Sequence, residues 1–347
     1  MKKNYTNFFK VIALLFLLSA CEEKEEIKLK TSGVYIYNEG SFGNNNATIG
    51  NYDPEINEYT PIAFRRQSNM SLGDVQQNAS LYDSKIYSVL NGSNDIKIMD
   101  ANLDYETLIK FPELDKPRDI AISDDLAFIS NWGPYNENFA LTSSEILVVE
   151  LETNQLIGRI ETQEYPEHLI IKNNKLIVGH ASFDGSISEL SIINIDNLEI
   201  EQTISVPKGP QEIIEDDNGK IWIVCTSGSL VQLNTSLTGI ENQIDHDNEI
   251  LGDIDIFEMN IFFYSNGEIF LLNTTDYNVT NTNISVDMQT PYAFGIDPVS
   301  GDFYLGDAVD YSSEGLVQRY SNDGKLLDSF TAGIIPTQFT FNIERDR

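Results

Sequence analysis

Acid–base and metal chemistry have few sources in this sequence. His168, His180 and His246 are the only histidines in 347 residues. No His-x-x-x-His pair and no Cys–His spacing supplies the three or four ligands a zinc ion needs, so no metal site is assigned. Glu167-His168 and His180, read as lying on neighbouring repeats, are the one pairing that could face across a pore as acid and base. A lone loop histidine more often hydrogen-bonds than abstracts a proton. Among 54 acidic residues paired carboxylates carry no information by themselves. No Gly-x-Ser-x-Gly elbow occurs, and the glycine-rich stretch Gly40–Asn46 lacks the strand-to-helix context of a nucleotide loop. No catalytic residue and no cofactor is assigned. The expectation is a protein that is not an enzyme.

Binding chemistry has better sources. Five segments, 38–49, 91–95, 131–144, 179–185 and 306–315, concentrate Asn, Gly and aromatic residues. They supply Phe42, Asn44, Asn45, Asn46, Asn91, Trp132, Tyr135, His180, Phe183 and Tyr311 as candidate ligand contacts. A second set, in segments leading into apolar strands, supplies Arg65, Arg66, Asn69, Asn78, Arg118, His168, Gln211, Tyr292 and Gln338. Amides offer donor and acceptor together, and aromatic rings offer stiff contact area at low entropic cost. Such a set suits a large, polar, uncharged ligand with ring surfaces to stack. For any one of these residues turn formation is the simpler explanation, since Asn and Gly are turn formers. Trp132 with Tyr135 is the strongest pair, because a tryptophan in a long insert is harder to assign to a core than Trp222, which sits in a strand.

These segments are held by a repeat. A proline or polar residue, a short apolar strand, a turn and a second strand recur from Lys116, Tyr165, Gly209 and Thr290, with weaker copies from Gln76 and Gly252. Anchors at Gln76, Pro117, Pro166, Pro210, Gly252, Pro291 and Pro336 are separated by 41, 49, 44, 42, 39 and 45 residues. Four-stranded propeller blades repeat every ~40–50 residues. Third strands (EILVVEL, SIINID, EIFLLN) and fourth strands (LIGRIET, IEQTISV) follow in each copy. GVYIYNEG, from Gly33, lacks a preceding first strand, and IIPTQFTFNI at the C-terminus is a first strand without followers. Pairing them closes the ring and removes both open edges. The expectation is an all-β chain: a seven-bladed β-propeller over 33–347, one domain. An open sandwich or solenoid would not need complementary half-blades. In such a ring the two segment sets above share one face.

The first twenty residues carry Lys2, Lys3 and Lys10, no acid, and an apolar run from Val11 to Ala20. That run is shorter than the roughly 20 residues a membrane span needs and is read as an export leader over 1–20. Leu18-Ser19-Ala20-Cys21 matches a lipobox, so Cys21 is the expected lipidation site. Residues 21–32 form an acidic tether, and Glu22-Glu23-Lys24-Glu25-Glu26 resembles a surface-export label. A chance cysteine in an ordinary leader, and a tether without address value, are the plain alternatives. The expected location is the outer membrane, anchored through Cys21 and facing outward. Cys225, the other cysteine, has no partner and is read as a buried hydrophobe. Formal charge is −32; without the three leader lysines 19 basic residues face 54 acidic ones, near −35. That excess repels phosphate backbones and anionic lipid, which excludes nucleic-acid partners and leaves acyl chains as the only membrane contact.

The segments VYIYNEGSFGNNNATIGNYDPEINEYTPIAF and LGDVQQNASLYDSKIYSVLNGSNDIKIMD resemble the YncE-like seven-bladed propeller lipoproteins of the Bacteroidetes. That group includes the cobalamin-binding BtuG type. The most specific stretches are Asn38-Glu39-Gly40, Asn44 to Thr48, and Leu72-Gly73-Asp74-Val75. The resemblance implies capture of cobalamin or a related corrinoid on one propeller face and its transfer to a TonB-dependent outer-membrane transporter. Cobalamin is then a ligand, not a cofactor. Only Asn44, Asn45 and Asn46 lie inside a matched motif. The same role for a glycan or siderophore, and a lactonase- or lyase-type propeller enzyme, remain open alternatives.

Overall fold

Six of the seven anchors begin the innermost strand of a four-stranded antiparallel sheet, and Gly252 stands two residues ahead of its own. The computed structural model describes residues 28–182 and 184–345. Seven such sheets stand around an axis. Their inner strands are Pro336–Arg345 (blade 1), Gln76–Tyr82 (blade 2), Pro117–Ser123 (blade 3), Pro166–Lys172 (blade 4), Pro210–Glu215 (blade 5), Ile254–Phe257 (blade 6) and Pro291–Ile296 (blade 7). The one α-helix among the described residues, Ala63–Ser68, lies in the crossover between blades 1 and 2. No described helix is long and apolar enough to cross a membrane.

The ring closes as the half-blades require. Strand Leu29–Asn38 pairs antiparallel with Pro336–Arg345, from Leu29 opposite Arg345 to Asn38 opposite Pro336. It takes in Leu29 to Ser32, which the sequence assigns to the tether. Chain ends therefore share one sheet, and no half-blade is left to expose an edge.

Cohesion resides between blades. Successive residues of a strand point to opposite faces, so each middle strand feeds two cores. Ile86 and Leu90 join Tyr35, Tyr37 and Ile49 of blade 1, while Tyr87 and Val89 join Ile120, Ile129 and Leu147 of blade 3. The same arrangement repeats at every interface around the ring, ending where Val34, Ile36 and Phe339 meet Ala293, Tyr304 and Val317. Burial on both faces explains the near-continuous apolar runs. Trp222 is wholly buried, its indole donating to Asp216 at 2.9 Å. Cys225 is buried as well, its thiol pushed up to about 12 by burial alone.

Candidate functional site

At the start of the inner strand the ladder slips. In blades 2, 3, 4, 5 and 7 a bulge follows the anchor residue, between Gln76 and Asn78, Pro117 and Asp119, Pro166 and Leu169, Pro210 and Ile213, and Pro291 and Ala293. Blade 1 has its equivalent at Thr337. A bulge re-aims the unpaired side chain, and here it turns Gln77, Arg118, His168, Gln211 and Tyr292 toward the axis. The residue before the strand is left-handed at Val75, Lys116, Tyr165, Gly209 and Ile335, a conformation that strains β-branched side chains by about 1–3 kcal/mol. Gly209 is required for space too, since an added Cβ would meet Thr226 Oγ1 at 2.1 Å.

Loops between second and third strands fold over these turns. Backbone N–H groups of Asn91, Trp132, Ala181, Thr226 and Ala308 donate to the carbonyls of Val75, Lys116, Tyr165, Gly209 and Thr290. Both segment sets thus share the upper face, as expected. Beneath that face lies an axial cavity of about 450 Å³, within the ~300–1,000 Å³ range of small-ligand sites.

The cavity wall divides in two. On the side of blades 7, 1, 2 and 3 the polar groups are engaged. Tyr292 donates to Glu39 at 2.8 Å. Gln338 bonds both the N–H and the carbonyl of Ala79, at 2.8 and 2.9 Å. Asn78 donates to Asp119 at 2.6 Å, and the other Asp119 oxygen accepts the Leu169 N–H at 2.8 Å. Arg118 bridges Gln77 at 2.5 Å and Glu167 at 2.8 Å, and its guanidinium lies 4.2 Å from the centre of the Trp132 ring.

On the side of blades 4 to 6 stand His168, Gln211, Glu212 and Asp253. His168 Nδ1 lies 3.8 Å from Glu212 Oε2. Burial holds His168 down at about 4, with Arg118 adding to the shift, and lifts Glu212 well above the usual carboxylate range. His168 is neutral at pH 7, so this contact is not an ion pair. Burial also lifts Asp119 and Asp253 to about 7 and Asp255 to about 6. Like charges in a confined space resist joint ionisation, and the one guanidinium present is already committed to Glu167. No group of three or more potential metal ligands is found among the described residues.

Of the candidate contacts, Arg118, His168 and Tyr292 line the cavity, with Asn78, Gln211 and Gln338. Trp132 is corrected: expected to stack on a ligand, it is 6% exposed and sits between Arg118 and the edge of Tyr165, 5.5 Å away. His180 is corrected too. It is on the same blade as His168, opposite Pro166, fully buried, with Nε2 2.9 Å from Ser191 Oγ. Asn91 ties loops together, donating to the Pro117 carbonyl at 3.2 Å. Asn45 and Asn46 border a separate cavity of about 140 Å³ beside the short helix, and Asn46 Oδ1 accepts the Ser41 N–H as a turn former. Asn44 shares that loop, its N–H on the Ser41 carbonyl. Arg66 is exposed on the helix, away from the axis. Phe42 and Tyr311 are 81% and 54% exposed, and Tyr311 meets Tyr292 edge-on at 5.9 Å. Tyr135, 37% exposed, carries the Lys116 ammonium 5.0 Å from its ring centre. Phe183 and Cys21 lie outside the described residues. Sequence reasoning missed Gln77, Glu39, Asp119, Glu212, Asp253 and Asp255. Superposing the repeats on their anchors would have found most of them, one to three residues beyond each anchor.

The family model for a domain of unknown function, DUF5074, matches residues 32–291. No curated protein matches the sequence. Solved structures do. A quinonprotein alcohol dehydrogenase-like protein of Bacteroides thetaiotaomicron is 17% identical with a TM-score of 0.71, over 90% of this chain and 78% of that one. Hydrazine synthase of Kuenenia stuttgartiensis is 11% identical with a TM-score of 0.62, over 78% and 95%. A functionally unknown protein of Desulfotomaculum acetoxidans is 10% identical with a TM-score of 0.66, over 90% and 99%. At these identities the likeness is one of fold.

Proposed function

We propose, from the premise that the chain belongs to the DUF5074 family, that it is a lipid-anchored outer-membrane surface protein that captures a large polar ligand on its upper face. The ligand is a corrinoid such as cobalamin, passed on unchanged to a TonB-dependent transporter. One observation carries the reading: the axial cavity opens among amides, carboxyls raised above their usual range and a tyrosine, under a face that exposes Phe42, Tyr135 and Tyr311. Anionic ligands meet no free counter-charge there, since Arg118 is paired with Glu167, whereas an uncharged ligand rich in hydrogen-bonding groups meets many partners. A corrinoid is broader than the cavity, so its ring would lie on the aromatic rim with only a side arm inside.

The test is calorimetric titration of a chain from Lys28 to Arg347, which holds every described strand, with cyanocobalamin. Saturable one-to-one binding supports capture; no heat from a folded sample removes the corrinoid and leaves glycans and siderophores to be tried. A second reading, turnover of the ligand, draws on carboxyls lifted toward neutrality in a cavity. It requires a product, detectable by mass spectrometry after prolonged incubation and lost in His168→Ala.

A further inference from the structure

The unengaged side of the cavity is chemically specific. Among the described residues the side chains of His168, Gln211 and Glu212 have no hydrogen-bond partner, His168 and Glu212 lying 3.8 Å apart. Asp253 uses one oxygen to accept the Phe294 N–H at 3.2 Å, and its other oxygen is unbonded. Folding has left these groups unsatisfied while bonding nearly every polar group across the axis. These groups are half-buried in the cavity wall, and a ligand that completes them gains their hydrogen bonds.

The composition of this arc decides what completes it. Three carboxyls, Glu212, Asp253 and Asp255, crowd one sector, and no cation is available to them. Desolvation raises all three above the usual carboxylate range, Asp253 to about 7 and Asp255 to about 6, so a proton is held more readily in mildly acidic medium. A protonated carboxyl presents an O–H beside a carbonyl oxygen, the same donor–acceptor pair as a primary amide, and Gln211 presents that pair as well.

We infer that the arc of Gln211, Glu212 and Asp253 is a receptor for carboxamide groups, each ligand –CONH₂ meeting a donor and an acceptor side by side. This rests on the axial cavity being the ligand site and names the group it recognises there. Recognition depends on pH, because losing the carboxyl proton removes the donor half. The other titratable or charged groups lining the cavity are Arg118 from blade 3, His168 from blade 4, Asp255 from blade 6 and Tyr292 from blade 7, with Asp119, Glu167 and Glu39 packed behind them. His168 stays neutral above about pH 5, so the change near neutrality belongs to the carboxyls.

The test uses succinamide and succinate as probes, titrated into the folded Lys28–Arg347 chain at about pH 6 and about pH 9. Succinamide is expected to bind and to weaken by about tenfold or more at the higher pH, and succinate to bind at neither. The double variant Glu212→Gln, Asp253→Asn, which keeps a donor and an acceptor at any pH, is expected to give a flat profile. Equal binding of succinate, a flat wild-type profile, a slope that survives in the double variant, or no binding of either probe would each overturn the inference. Succinamide binding with cyanocobalamin silent would remove the corrinoid and support the carboxamide receptor. Cyanocobalamin binding that is insensitive to pH and to Glu212→Leu with Asp253→Leu would do the reverse.

Discussion

The two sides of the axial ring are built from the same repeat yet have opposite characters. Across blades 7, 1, 2 and 3, the long polar side chains at or beside the bulge span to a neighbouring blade or loop, as Arg118 does between Gln77 and Glu167 and Gln338 does on Ala79. Across blades 4 to 6, the equivalent positions hold His168, Gln211, Glu212 and Asp253, which end in the cavity. Inter-blade apolar cores are present on both sides, so the open side can forgo polar cross-links without losing its seam. A ring divided this way is cross-linked along one arc and leaves unbonded polar side chains facing the cavity along the other.

The sharpest way to break this comparison is Arg118→Ala. It leaves Glu167 buried without a counter-charge and removes the plate over Trp132, and should cost about 3–5 kcal/mol in a urea unfolding experiment. Arg118→Lys should recover little, because an ammonium cannot reproduce the fork that holds Gln77 and Glu167 together. A loss below about 1 kcal/mol would make the engaged arc decorative. Next comes Gln338→Ala, expected to cost about 1–3 kcal/mol by taking the donor from the Ala79 carbonyl and leaving the Ala79 N–H only Asn78 Oδ1, at 2.7 Å. Its counterpart across the axis, Gln211→Ala, should stay within about 0.5 kcal/mol while weakening ligand binding.

A pH titration sharpens the same contrast. Asp119, Asp253 and Asp255 have folded values raised above their unfolded ones. Their contribution is full below about pH 4 and is lost as pH rises through about 6 to 7. Thermal unfolding should therefore occur at a lower temperature at pH 8 than at pH 5.5. Asp253→Asn should recover about 1 kcal/mol at pH 8. An unchanged melting temperature across that range would mean the carboxyls are hydrated and ionised. The smallest effect on stability belongs to Tyr311→Ala, within about 0.5 kcal/mol, although it should reduce cyanocobalamin affinity about tenfold as an exposed aromatic contact.

The ring was legible because its signal repeats. Six of the seven anchors, from Gln76 to Pro336, are the first residues of inner strands, and Gly252 stands two residues ahead of the seventh. Complementary half-blades announced the pairing of Leu29–Asn38 with Pro336–Arg345. The site was only half legible. Arg118, His168 and Tyr292 follow anchors closely, so their height on the axis came with the repeat. Trp132 misled because its polar insert suggested exposure, whereas the indole is held under a guanidinium supplied 14 residues earlier in the chain. The cavity carboxyls were hidden by the sheer number of acids elsewhere. Only its place two residues after an anchor, where the bulge falls, separates Glu212 from any other glutamate.

The register of the closing blade also sets an orientation. Leu29 lies opposite Arg345, at the end of the sheet away from the cavity. Eight residue steps separate it from Cys21, and a fully extended chain of that length reaches about 28 Å. If Cys21 bears the lipid, the lower face rests toward the bilayer and the cavity looks out into the medium. Such a posture favours catching solutes from outside, and delivery into a transporter then requires the propeller to tip over on its short leash, or the transporter to rise around its rim.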